Sequence, residues 1–332
     1  MSKIRSYISG VGHYLPERVV SNLEMSTWMD TSDEWIRERT GIEERRFAKD
    51  GEGPSDLAIP AVHMALDDAN INKEDIDLII FGTISSDFYI PGSGCLLQDK
   101  MSFPAIGALD IRAACSGFIY GLSVADQYIK AGTCKHVLLV CAEVQSTMMD
   151  ISDRGRNTSV IFGDGAGAVV VSATSDDNGI LSTHLHADGK YYKELWLKEP
   201  SSTSSNRLSQ DSFDKGEHYL SMNGREVFKH AVTKFPQAIN EALEHNKLSS
   251  DDINLLIPHQ ANIRISQMVQ KKLNLSDNKI YNNIRKYGNT TAASIPIALS
   301  EAKQANRINN NDIIILAAFG SGFTWGSAAI RW

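Results

Sequence analysis

Three separated segments hold the residue types that nucleophilic chemistry needs. In Asp110-Ile111-Arg112-Ala113-Ala114-Cys115-Ser116-Gly117-Phe118 an apolar run passes into small residues and then into a helical pattern, with a thiol at the junction. A cysteine at a helix start faces unpaired backbone N–H groups and the positive end of the helix dipole, so the sequence predicts a thiolate held below the ordinary thiol range. Partners for it stand in Pro258-His259-Gln260-Ala261-Asn262 and in Tyr287-Gly288-Asn289-Thr290-Thr291-Ala292-Ala293-Ser294. Each residue also has a plainer reading: Cys115 as a buried core thiol, His259 as a satisfied core histidine, Asn289 as a turn residue. Cys95, Cys134 and Cys141 lack the small-residue setting and read as core.

Taken together, cysteine, histidine and asparagine fit acyl transfer with carbon–carbon bond formation. Cys115 would attack a thioester and hold its acyl group. The N–H groups of Cys115 and of loop 319–322 would bind the tetrahedral oxyanion. An imidazole N–H and an asparagine amide could then donate to the thioester oxygen of a second substrate, stabilising the enolate left when a malonyl group loses carbon dioxide. By composition alone the same set would also serve a cysteine protease, and at this level both readings stand.

Such residues need a scaffold, and composition bounds it. A chain of 332 residues exceeds one small core and implies two domains or one large α/β body. With 42% hydrophobic and 22% charged residues it is an ordinary globular sequence, and a net charge of −7 gives no global attraction for nucleic acid. No apolar run has membrane-spanning length, and residues 1–16 lack the continuous apolar core of a signal peptide. Four cysteines without CxxC spacing argue against a disulfide framework or a metal site, so the expected setting is the cytoplasm.

The pattern predicts strands over 3–11, 76–83, 106–111 and 137–142, with helices over 54–70, 94–101 and 118–131. Thr31-Ser32-Asp33-Glu34-Trp35-Ile36-Arg37 opens with cap residues, and the spacing of Thr31 and Glu34 is that of a capping box. The glycine-rich stretch 162–171 leads into a strand and not into a helix N-terminus, so the geometry of a dinucleotide site is missing. Further on, helices are expected over 224–246, 262–273 and 291–306, strands over 253–257, 313–318 and 323–330, and a polar surface excursion over 199–217. Windows 65–82 and 242–259 align without a gap at an offset of 177 residues, with Ala65/Ala242, Leu66/Leu243, Asp75/Asp252, Ile76/Ile253, Leu78/Leu255 and Ile80/Ile257 identical. The same offset sets Cys115 opposite Ala292. Two halves of similar topology are therefore predicted, 1–175 with the cysteine and 176–332 with the histidine and asparagine, meeting at a pseudo-twofold axis.

Several stretches then match a known family: Thr31-Ser32-Asp33-Glu34-Trp35-Ile36, Ala113-Ala114-Cys115-Ser116-Gly117-Phe118, Asp153-Arg154-Gly155, Phe162-Gly163-Asp164-Gly165-Ala166-Gly167-Ala168, Pro258-His259-Gln260-Ala261-Asn262, Gly288-Asn289-Thr290 and Gly322-Phe323-Thr324-Trp325-Gly326. Jointly they resemble β-ketoacyl-acyl-carrier-protein synthase III, from the first strand to Trp332. The resemblance implies a thiolase-like, five-layered αβαβα fold and a homodimer. It implies an acyl-CoA substrate without a permanently bound cofactor, and malonyl-carrier protein as the second substrate, so that the product starts fatty acid synthesis. By the same resemblance Cys115 accepts the acyl group and His259 and Asn289 support decarboxylation. Trp35 and Arg154 would sandwich the coenzyme A adenine with Arg39 as a further contact, and Phe319 would lie beside the reacting groups. Arg264, Lys229, Lys271 and Lys272 would offer the acidic carrier protein a basic landing surface.

Three positions depart from the family pattern. Arg225 replaces a common asparagine, Ser321 replaces a glycine while keeping its backbone N–H, and Ile90 stands where some members have an aromatic shaping the acyl pocket. Condensing enzymes of secondary metabolism acting on an unusual acyl-CoA, and a non-catalytic acyl-CoA or carrier-binding homologue, are the competing expectations. A biosynthetic thiolase would need a second cysteine in loop 319–322, and a hydroxymethylglutaryl-CoA synthase a glutamate at Ile84. Both are disfavoured.

Overall fold

The structure, a computed structural model, describes residues 4–332. The chain begins with strand β1 (Arg5–Tyr14), whose predicted start at Lys3 lies outside the described residues. A small hairpin of β2 (Arg18–Ser21) and β3 (Glu44–Phe47) encloses helices α1 (Asn22–Met25) and α2 (Asp33–Thr40). Then come α3 (Pro54–Ala69), β4 (Leu78–Gly82), α4 (Ser93–Lys100), β5 (Gly107–Ile111), α5 (Gly117–Lys130), β6 (His136–Glu143), α6 (Arg156–Ser159) and β7 (Gly165–Thr174). The second half holds β8 (Gly179–Ala187), β9 (Leu195–Trp196), α7 (Gln210–Asp214), β10 (Ser221–Met222), α8 (Gly224–His245), β11 (Leu255–Pro258), α9 (Ile263–Lys272), α10 (Ile284–Tyr287), α11 (Ser294–Gln304), β12 (Ile313–Gly320) and β13 (Thr324–Arg331). Among the described residues no helix is long and apolar enough to cross a membrane.

The main sheets run β1-β7-β6-β4-β5 and β8-β13-β12-β11, so the second repeats the order of the first with its last strand missing. That strand survives as one parallel bridge between Leu256 and Ile280. The internal repeat carries into the pairing register: Leu78 faces Val137 in the first sheet, and Leu255 faces Ile314, each 177 positions later, in the second. Buried apolar residues of α5 and α11 fill the space between the sheets, packing on Ile80 and Leu139 from one and Ile257 and Leu316 from the other. Helix α3 covers the outer face of the first sheet, and α8 and α9 cover that of the second. This is the five-layered αβαβα, thiolase-like arrangement. The central strands are apolar on both sides because helices cover both faces.

One detail of capping differs from expectation. The cap of α2 is Ser32, whose Oγ accepts the Trp35 N–H at 3.1 Å, and not Thr31. A hydroxyl one residue nearer the helix reaches the third amide, while Thr31 Oγ1 is buried without a partner. At the other end Gly41 takes a left-handed φ of 80°, and a Cβ there would lie 2.3 Å from Ile263, which is how closely α2 meets α9.

Candidate active site

Cys115 stands in a single 3₁₀ turn, Ala114–Ser116, ahead of α5. Ala114 is left-handed at φ 46°, and Thr291, 177 residues on, repeats this at φ 50°. Both turns end where a helix of the central layer begins, so the two halves present equivalent corners to each other at the pseudo-axis. A Cβ on Gly117 would sit 3.1 Å from Ala292 Cβ, and one on Gly320 would sit 2.6 Å from Cys115 Cβ and 3.0 Å from its sulfur. Only glycine lets β12 pass that close to the thiol.

The thiol is 5% exposed. Burial, and after it Glu143, push its pKa up to about 12, while the backbone N–H groups of Cys115 and Ser321 oppose the shift. This corrects the expectation of a depressed thiolate. The helix start is present, but it is enclosed in apolar surroundings, and desolvation of a charge outweighs the few N–H dipoles aimed at it. The same two N–H groups are those expected for the oxyanion. Ser321 is fixed by its Oγ, which donates to the Leu195 carbonyl.

His259 follows β11 and is 3% exposed. Its Nδ1 lies 2.6 Å from Ser294 Oγ at the start of α11, while its Nε2 is buried without a partner. Burial lowers its pKa to about 3, so the ring is neutral at physiological pH. Asn289 is placed by backbone bonds to both sides of Phe162: its N–H donates to the Ile161 carbonyl at 2.9 Å, and its carbonyl accepts the Gly163 N–H at 3.1 Å. Its Oδ1 accepts the Thr291 N–H at 2.8 Å, leaving the NH₂ end for a ligand. Cys115, His259, Asn289 and Phe319 all line one cavity of about 570 Å³.

The mouth of this cavity is lined by Trp35, Arg39, Arg225 and Arg264. Arg39 lies over the Trp35 ring at 4.4 Å, and Asn262 ties the two motifs together by donating to the Arg39 carbonyl at 2.9 Å. Arg154, expected across the adenine from Trp35, is held by Asp150, donates to the Asp214 carbonyl at 3.2 Å and leans over Tyr219. Arg156 takes the place beside Trp35, 5.2 Å from its ring, steadied by the Asp30 carbonyl at 2.6 Å. The sequence offers two arginines around Gly155, and the motif match falls on the first. Arg156 opens α6, however, and it is this turn that brings a guanidinium to Trp35.

The basic residues outside the mouth are dispersed. Lys229 pairs with Glu226 at 3.4 Å, and Lys272 donates to the Val232 carbonyl at 2.7 Å. Lys271 is two turns from Arg264 on α9, about 10 Å along the axis. A second cavity of about 690 Å³ also reaches Cys115, lined by Ile84, Tyr89, Met148, Leu195, Trp196 and Leu220 among others. Neither this cavity, nor Ser294, nor Arg156 has a role in the sequence reading.

Two duplicated α/β halves with a thiol at their axis define a thiolase-like condensing enzyme. Comparison with known proteins narrows the class. Residues 109–189 match the 3-oxoacyl-[acyl-carrier-protein] synthase III family and residues 243–332 match its C-terminal region. The chain is 47% identical to the beta-ketoacyl-[acyl-carrier-protein] synthase III of Geobacillus kaustophilus over 98% of both chains. It superposes on the 3-oxoacyl-[acyl-carrier-protein] synthase III of Aquifex aeolicus with a TM-score of 0.90 at 42% identity, covering 98% of this chain and 100% of that one. It also superposes on the priming beta-ketosynthase of the R1128 polyketide pathway, with a TM-score of 0.90 at 30% identity and coverage of 100% and 97%. The chain belongs to the β-ketoacyl-acyl-carrier-protein synthase III family, whose members are acyltransferases that start fatty acid synthesis.

Proposed function

We propose that this enzyme joins an acyl-CoA primer to malonyl-acyl-carrier protein by decarboxylative Claisen condensation through an acyl-Cys115 intermediate. The observation that carries the reading is the meeting of Cys115, His259 and Asn289, from three distant segments, in one cavity with the Cys115 and Ser321 N–H groups beside the sulfur. In the first half-reaction the Cys115 sulfur attacks the thioester carbonyl. The oxyanion is received by those N–H groups, coenzyme A departs, and the thiol proton ends on the departing sulfur. Because the thiol is neutral at rest, deprotonation accompanies attack.

In the second half-reaction the malonyl thioester oxygen accepts from His259 Nε2 and Asn289 Nδ2. The Ser294 hydroxyl accepts the Gln260 N–H at 3.3 Å and in this reading donates its own proton to His259 Nδ1, with Nε2 as the protonated nitrogen. A neutral N–H donor with no other partner suits an enolate. Loss of carbon dioxide generates that enolate, its carbon attacks the acyl-Cys115 carbonyl, and collapse of the tetrahedral species releases the β-ketoacyl thioester and the Cys115 thiolate, which regains a proton. Phe319 walls the cavity. Trp35, Arg39 and Arg156 bind the nucleotide end of coenzyme A, with Arg156 in the role expected of Arg154.

Arg264, at the cavity mouth, meets the acidic carrier protein, with Lys229, Lys271 and Lys272 as its flanks. A homodimer is supported by the apolar edge beside β5, where Phe88, Tyr89 and Ile90 are 60%, 54% and 80% exposed. The size of the second cavity favours one variant reading, a primer larger than acetyl as in secondary-metabolism condensing enzymes. The test is incubation with a panel of acyl-CoAs followed by intact mass and peptide mapping. Acylation on Cys115 is expected. Its absence with every primer, or its location on another cysteine, overturns the reading.

A further inference from the structure

Glu143, the last residue of β6, is fully buried. Its carboxylate accepts from the Thr83 hydroxyl at 3.1 Å, the Ile84 N–H at 3.2 Å, the Ser85 N–H at 3.2 Å, the Ser85 hydroxyl at 2.6 Å and the Gln145 amide at 3.1 Å. Ser85 Oγ in turn accepts the Val144 N–H at 2.9 Å, which closes the loop after β4 onto the end of β6. Burial lifts the carboxyl to about 7, opposed by bonds from Ser85, Ile84 and Thr83 and by no cation among the described residues. A buried carboxylate without a counter-ion is costly to hold, so its surroundings indicate what it is for. Here every neighbour is a donor, and only an acceptor-only group satisfies them all.

The segment so held is a wall. Ile84 and Ser85 line the second cavity together with Cys115 and the apolar Leu195, Trp196 and Leu220. Its largely apolar lining suits a hydrocarbon chain extending beyond the two carbons of an acetyl group, and its rim at Phe88 and Tyr89 lies on the edge assigned to the homodimer. We infer that Glu143 is a positioning residue for primer choice: by fixing the 83–85 wall it shapes the second cavity for an apolar acyl chain longer than acetyl, carried on Cys115. The inference rests on the reading of Cys115 as the acyl carrier. Glu143 itself touches no reacting atom. Its effect passes through Ile84 and Ser85.

Glu143→Gln keeps shape and, with its carbonyl oxygen in the place of Oε2, turns an NH₂ against the Ile84 N–H, which also donates to Oε1 at 3.3 Å; Ser85→Ala removes the 2.6 Å bond together with the acceptor of the Val144 N–H. Both variants, checked for folding by thermal unfolding, are compared with the wild-type enzyme in single-turnover acylation by acetyl-, hexanoyl- and octanoyl-CoA. Acylation by the longer primers is expected to fall about tenfold more than acylation by acetyl-CoA, the scale on which apolar pockets discriminate methylenes. A uniform loss across the primers, or an unchanged ratio in both variants, overturns the inference while leaving the condensing activity intact. Wild-type enzyme that is acylated by acetyl-CoA but refuses the longer thioesters overturns it as well. Wild-type enzyme left unacylated by every thioester overturns it along with the reading beneath it.

Discussion

His259 Nδ1 lies 2.6 Å from Ser294 Oγ, so the ring's orientation is set from the first residue of α11, in a different segment from the histidine itself. Ser294→Ala should therefore leave Cys115 acylation near wild type and slow condensation about ten- to a hundredfold through loss of alignment. Separate assays of the acylation burst and of carbon dioxide release from malonyl-carrier protein distinguish the two effects.

Direct removal of the enolate donors should cost more. His259→Ala and Asn289→Ala are each expected to lower decarboxylation about 10²- to 10³-fold while Cys115 still takes up the primer. Condensation unchanged in both variants would refute their assignment.

The proposed role of Arg156 beside Trp35 is testable by a pair of variants. Loss of the guanidinium over Trp35 in Arg156→Ala should raise KM for acyl-CoA about five- to tenfold, the scale of a cation–π contact. Arg154→Ala should have the smaller effect, because its guanidinium is spent on Asp150 and the Asp214 carbonyl. Initial-rate kinetics at varied acyl-CoA settle the order of the two.

Gly320→Ala brings a methyl group to within 3.0 Å of the Cys115 sulfur. Overpacking of this kind costs about 1–3 kcal/mol and displaces the thiol, so acylation should be lost before the fold is. Mass spectrometry and thermal unfolding report the two separately.

Acid stability follows from His259. Its folded pKa is lowered from 6.5 to about 3, so between these values the unfolded chain binds a proton that the folded chain does not. The stability it contributes is complete above pH 6.5 and is lost as pH falls toward 3, at a slope of at most about 1.4 kcal/mol per pH unit. Denaturant unfolding across that window should show a shallower decline in His259→Ala than in the wild type.

Much of this was legible beforehand because it depends on repetition and local pattern. The offset found between Ala65 and Ala242 reappears in strand register and in the paired left-handed turns at Ala114 and Thr291, since a duplicated unit repeats backbone geometry along with apolar spacing. Local residue context also singled out Cys115, His259 and Asn289, each within its own segment. What it could not convey was environment. The thiol's pKa turns on how deeply the helix start is enclosed, and the presence of Arg156 beside Trp35 on one short helical turn. Glu143 gave no signal, because a glutamate at the end of an apolar run reads as a strand edge until the five donors around it are seen.

The approach of Gly117 to Ala292 has a bearing on how the enzyme can change. Position 292 is the mirror of the nucleophile and carries no reactive group, yet it sets the spacing at which the two central helices start. A larger side chain there would push on Gly117 and move Cys115 from the opposite half of the molecule. Of the two copies of this corner, one performs the chemistry and the other acts as its gauge, so selection on catalysis reaches a methyl group that no substrate touches.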